Sequence, residues 1–131
     1  MSSKYKMKKL NISSLKEAQK AIAKTGACEQ SIPLMAPKLI FLCLKLQGVR
    51  SPVANILKQE ALSIGAEAAV SQHTVNCSKP SSDVILAGTL KQLKKLAAKM
   101  KMQGYGLPQP AAEDYKSLSE ELSDILEEYK N

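Results

Sequence analysis

The sequence is poor in aromatic side chains, with no Trp, one Phe and four Tyr. A core made without them must be aliphatic, built from Leu, Ile, Val and Ala. Histidine is almost absent too. His73 stands alone in a turn-like stretch, and a general base needs positioned partners that sequence proximity to Cys77 or Asp83 does not supply. Of 19 basic residues only Arg50 is arginine, whereas proteins that read base sequence favour its bidentate fork. Cys28, Cys43 and Cys77 are few, odd in number and widely spaced, without a CxxC or CxxH pair. This gives no zinc signature and fits a reducing, cytoplasmic setting, with Cys43 as a core filler inside an apolar run. The longest apolar run, Leu39–Leu44, is far shorter than a bilayer requires. The Lys-rich start lacks the apolar stretch of a secretory signal. No catalytic residue, metal ligand or cofactor is therefore assigned.

What is present suits a small globular protein. The 131 residues are 44% hydrophobic and 24% charged, enough for one modest core. The net charge of +7 is unevenly placed: residues 1–101 carry a net of +12 and residues 102–131 a net of −5. Either the acidic tail folds against the basic body, or the basic surface is left for an anionic partner.

Lys8–Ile12 reads as a short strand. Ser14 and Glu17 form a capping box, followed by Leu15, Ala18, Ala21 and Ile22 at helical spacing and ended by Gly26. Residues 27–37 read as a loop broken by Pro33 and Pro37. Leu39–Leu46 reads as a buried central strand closed by Gly48. Ser51-Pro52 opens a helix with serine at the N-cap, an apolar stripe of Val53, Ile56, Leu57, Ala61 and Ile64, and Gly65 as its stop. Two short strands are expected at Glu67–Ser71 and Thr74–Ser78, then a turn at Lys79–Ser82 and a strand at Asp83–Gly88. Thr89 caps a helix that buries Leu90, Leu93, Leu96, Ala97 and Met100. Gly104–Pro110 is a linker. Near Pro110 a last helix begins, with Tyr115, Leu118, Leu122, Ile125 and Tyr129 forming a narrow seam. The fold class expected is α+β: a small mixed sheet covered by helices on one face, with a C-terminal amphipathic helix. Residues 1–107 form the basic body, and 108–131 the acidic helix.

Several stretches carry a resemblance. They are Met35-Ala36-Pro37-Lys38 leading into its strand, Ala54–Val70, Val75–Ser78 with Asp83–Thr89, and Met102–Leu107. Together they resemble the domain that precedes the catalytic barrel in some bacterial and archaeal dihydropteroate synthases. They cover roughly residues 32–107, and Ala66 departs from the paired glycines usual beside Gly65. The resemblance implies an accessory part of enzymes that join p-aminobenzoate to a dihydropterin pyrophosphate on the way to folate. That chemistry belongs to a barrel of roughly 250 residues. Its pterin-site motif, of the Asn-Val-Thr-Pro-Asp-Ser type, does not occur in this sequence, so no catalytic position carries over.

The residues suggest three contact surfaces. Asn55, Lys58 and Gln59 share one polar helical face, and Thr89 opens a helix whose free N–H groups would attract an anion. The Tyr115–Tyr129 seam is expected to dock on the body or on a partner. Lys91, Lys94, Lys95, Lys99 and Lys101 form a face able to hold nucleic-acid phosphates, although few aromatics are available for base stacking. The acid pairs Glu113-Asp114, Glu120-Glu121 and Glu127-Glu128 read as the solvated side of the last helix. Two functions follow from different classes. One is a non-catalytic accessory domain acting with a dihydropteroate synthase barrel, or self-associating. The alternative is a small basic RNA-binding module.

Overall fold

A computed structural model describes residues 4–130. In chain order the main elements are α1 (Leu15–Ala23), α2 (Ile32–Met35), β1 (Phe41–Arg50), α3 (Ser51–Ser63), β2 (Glu67–Ala69), β3 (Ser81–Thr89), α4 (Leu90–Gln103) and α5 (Ala111–Leu126). Single 3-10 turns occupy Glu29–Ser31, Ala36–Lys38 and Glu127–Tyr129. The α+β class holds, with an amphipathic helix at the C-terminal end. The sheet has the order β1-β3-β2, and both pairings are antiparallel, so it is not mixed. β1 and β2 consequently run the same way with β3 inserted between them, and α3 makes the crossover.

The core is aliphatic. Ile40, Leu57, Val84, Leu86, Leu90, Leu93, Leu96 and Met100 are almost wholly buried. β3 alternates strictly, with Ser82, Val84, Leu86 and Gly88 facing inward. α4 places all five of its expected core residues inside. Its start is a full capping box: the Thr89 hydroxyl accepts from the Gln92 N–H, and the Gln92 side chain accepts from the Thr89 N–H.

At α1 the Ser14 hydroxyl accepts from the Glu17 N–H as expected. The Glu17 carboxylate, however, accepts from the Ser13 N–H, one residue earlier than the box requires. α3 begins one residue earlier than expected. Arg50 is its N-cap and Ser51 its first turn. Ser51 is buried, donating its hydroxyl to the Lys79 carbonyl at 2.5 Å and its N–H to that of Pro80 at 2.9 Å. Gly65 sits at φ +83, a left-handed position that ends the helix without a Cβ penalty.

Six sequence expectations are corrected. Lys8–Ile12 forms no strand; only Ile12 packs on the core. Pro33 and Pro37 do not break a loop but start short helical turns, where a missing N–H costs nothing. Thr74–Ser78 is a chain of turns, not a strand. The strand expected at the sheet centre, Leu39–Leu46, is an edge strand at Phe41–Arg50. Its apolar run does not reflect burial on both faces. Phe41 and Cys43 point to the uncovered face, so Cys43 is exposed and fills no core. Gly48 does not close β1 but lies at a register shift between Leu46 and Val49, at φ +65, with its N–H donating to Asp83.

Candidate functional site

The polar residues of α3 are brought together with β2 and the turns that follow. The Asn55 amide donates to the Thr74 carbonyl at 2.7 Å and lies 4.0 Å from the Cys77 sulfur. Lys58 donates to the Ala68 carbonyl at 2.6 Å and pairs with Glu67 at 3.3 Å. The Ala68 N–H and then Lys58 hold the Glu67 carboxyl below its ordinary range. Two of the three expected contact residues are thus engaged in fixing the α3–β2 turn and the 72–77 segment, and only Gln59 remains exposed. Thr74 is the residue that sequence reasoning missed. It is 1% exposed, and its hydroxyl has no hydrogen-bond partner among the described residues. Nothing in the local sequence marks it, because its burial follows from the Asn55 contact nineteen residues away.

The start of α4 is closed by its own chain. The N–H groups of Thr89 and Gln92 belong to the capping box, and that of Leu90 donates to the Ile40 carbonyl at 2.8 Å. Three of the amides at this end of α4, those of Thr89, Leu90 and Gln92, are thus already taken. Gly88 explains the close approach here. A Cβ at that position would lie 3.0 Å from the Ala66 Cβ and 3.1 Å from the Gln92 side chain. Ala66, the departure from the paired glycines, is accommodated because Gly88 leaves room for its methyl group.

Lys91, Lys94, Lys95 and Lys101 are exposed along α4, while Lys99 pairs with Glu60 of α3 at 3.7 Å. His73 enters the fold through its backbone, donating to the Ser71 hydroxyl and accepting from Ser78. Asp83 is engaged with Gly48, so the structure does not assemble the two around a common centre. Among the described residues no cluster of His, Cys, Asp and Glu is arranged to hold a metal ion. No helix of the described residues is long and apolar enough to cross a membrane.

The C-terminal seam is spent inside the molecule. Tyr115, Leu118 and Leu122 are buried in the same core as the body, chiefly against α4. Ser119 donates to the Ala97 carbonyl at 2.9 Å, and Arg50 pairs with Asp114 at 2.5 Å. Burial pushes the Tyr115 phenol above its ordinary value. The seam does not continue through Ile125, which is 40% exposed; Leu126 is buried instead. A straight helix of 3.6 residues per turn drifts off a 3.5-residue seam, and the buried row follows the helix. Tyr129 is half-buried in the final 3-10 turn.

Beside Ile125 the structure opens a groove of about 630 Å³ between β1 and α5. Leu44, Leu46 and Val49 form one wall, and Leu118, Leu122 and Ile125 the other, with Arg50, Asp114 and Glu121 polar among them. The inward row of β1 is therefore only half-buried. No linear motif announces this groove, since it depends on how far α5 stands from the sheet.

No protein family matches the chain, and no solved structure is significantly similar to it. Two curated proteins are. The bifunctional dihydropteroate synthase/dihydropteroate reductase of Helicobacter pylori is 31% identical over 107 residues, 82% of this chain and 27% of that protein. The probable bifunctional folylpolyglutamate synthase/dihydropteroate synthase of Haloferax volcanii is 37% identical over 75 residues, 57% of this chain and 9% of that protein. The chain spans only about a quarter of the first relative and about a tenth of the second. It is thus similar, over part of its length, to a segment of two bifunctional proteins that have dihydropteroate synthase in common.

Proposed function

We propose that this chain is a non-catalytic accessory module of folate synthesis that acts beside a dihydropteroate synthase barrel through protein–protein contact. The observation that carries the reading is the pair of relatives. Their second activities differ, dihydropteroate synthase is what their names share, and this chain matches a minor part of each. The engagement of Asn55, Lys58 and Gly88 in internal structure also supports it. These residues lie in the stretches that carry the resemblance, and they maintain a fold without lining an open reaction site.

The contact surface we assign is the uncovered face of the sheet. Phe41 is 65% exposed there and Ile85 44% exposed, with Cys43 and Ala87 directly paired between them. Lys45, Gln47, Asp83 and Glu67 share this face, and the apolar strip of Phe41, Cys43, Ile85 and Ala87 among them suits a partner. Tyr115, Leu118 and Leu122 are excluded from this role by their own burial, so the docking function expected of the last helix passes to the sheet.

The test is capture of the tagged chain from source-cell lysate at physiological salt with nuclease present, followed by titration against the purified barrel protein. Recovery of a dihydropteroate synthase barrel, with association weakened roughly tenfold or more by Phe41→Asp, is the expected result. Absence of any barrel, together with no association in the direct titration, would overturn the reading.

A further inference from the structure

We propose that two copies of this chain pair along the free edge of β1, antiparallel about a two-fold axis at Cys43, to make one six-stranded sheet. The inference rests on the two edges of the sheet and goes beyond the accessory role.

Those edges differ. β2 forms one of them. Leu86 and Val84 of β3 bond toward β1, which leaves Ala87 and Ile85 to bond with Glu67 and Ala69, so the backbone groups of Ala68 turn outward. Side chains of the same molecule take both. The Ala68 N–H donates to the Glu67 carboxylate at 2.9 Å, and Lys58 donates to the Ala68 carbonyl at 2.6 Å. An incoming strand would find this edge closed.

β1 forms the other edge. The Ile40 carbonyl accepts from the Leu90 N–H, and the register runs on from there through Phe41↔Thr89 and Leu42↔Gly88. Even-numbered residues therefore bond to β3, and the N–H and C=O groups of Phe41, Cys43 and Lys45 point outward. Among the described residues none of these groups has a hydrogen-bond partner. Beyond Leu46 the edge is blunted, because the register shifts at Gly48 and Arg50 turns to Asp114 of α5. Phe41–Lys45 is thus the open segment, ready for strand addition.

Its own charge and side chains fit a second copy. Lys45 is the single charged residue of the segment. With the axis at Cys43, each Lys45 lies opposite Phe41 of the other copy, a ring that is 65% exposed in the single chain and able to take both the lysine stem and its ammonium group. An axis at Leu44 would set the two lysines diagonally, and one at Lys45 directly opposite, where like charges repel. On the inner side Leu42 of each copy meets Leu44 of the other. Both are only half-buried in the single chain, so pairing covers them. Assembly also stops at two. The outer edges of the joined sheet are the two β2 strands, each closed by Glu67 and Lys58.

Light scattering coupled to size exclusion on the full chain, at about 100 µM, should show a dimer. Cys43→Pro removes an outward N–H and no bond to β3, so it should weaken the dimer roughly tenfold or more with an unchanged circular dichroism spectrum. If that spectrum is lost, cross-linking decides. Cys28 and Cys77 are exposed, and with both changed to Ser a short bis-maleimide should join two copies through Cys43. On the same background Lys45→Cys with Cys43→Ser should not be joined, since the two positions would lie about 14 Å apart along the strands. A monomeric full chain at that concentration would overturn the proposal. So would a folded Cys43→Pro variant that dimerises as the parent does, or cross-linking through position 45 as readily as through position 43. The barrel titration is read separately. A dimer that binds no barrel sinks the accessory reading and leaves this one standing, and a monomer that binds the barrel does the reverse.

Discussion

The sheet carries apolar side chains on both faces, and their fates differ completely. Val84 and Leu86 of β3 are wholly buried beneath the helices, whereas Ile85 between them is 44% exposed and Phe41 on β1 is 65% exposed. The side chains are chemically alike, so hydrophobicity does not separate them. Cover does. Helices lie on one face, and the two-residue period of a strand sends each neighbour to the opposite side. An apolar run in an edge strand therefore records two surfaces, one turned toward the core and one left uncovered.

The largest effect that sharpens this contrast is Leu86→Ala. It should cost about 2–5 kcal/mol in urea denaturation, the range for a buried large-to-small change, because Leu86 is wholly buried. Gly88→Ala, on the same inner face, should cost about 1–3 kcal/mol through overpacking, since the new methyl would sit 3.0 Å from that of Ala66. Thr74→Val should move the other way, raising stability by about 1 kcal/mol as an orphaned buried hydroxyl is replaced by a methyl group. On the open face Ile85→Thr should change stability by no more than about 0.5 kcal/mol in the same assay. A cost comparable to that of Leu86→Ala would mean that the face is covered in solution.

The smallest effect concerns pH. The Glu67 carboxyl is held below its ordinary value of 4.5 by the Ala68 N–H and Lys58. A lowered folded pKa stabilises the fold above the ordinary carboxylate range, and that contribution is lost as pH falls through it. Glu67→Gln should therefore flatten slightly the loss of thermal stability between neutral pH and the acid range. A pH profile identical to that of the parent would show that the pair with Lys58 is inert.

Legibility followed the distance over which each feature is determined. The core face of α4, the Thr89 cap, the Ser14 cap and the inward residues of β3 are set by neighbours within a turn or two and could be read directly. Lys8–Ile12 and Thr74–Ser78 have strand-like residues without a strand, because a ladder needs a partner with free hydrogen-bonding groups in register. The polar face of α3 was recognised, but not that Asn55 and Lys58 are engaged by Thr74, Glu67 and Ala68. Those contacts span nine to nineteen residues. The groove was invisible for the same reason: its walls come from residues 44–53 and 114–125.

By itself the sequence determined an aliphatic α+β protein, the apolar stripes of its longer helices, and the division between a basic body and an acidic last helix. Those properties follow from composition and from periodicities that each segment carries alone. Tertiary structure decided that β1 lies at an edge, that the acidic helix is committed to the core of its own chain, and that a groove remains between the two. Strand order and the spacing of packed layers depend on which surfaces compete for the same partner, and no single segment encodes the outcome of that competition.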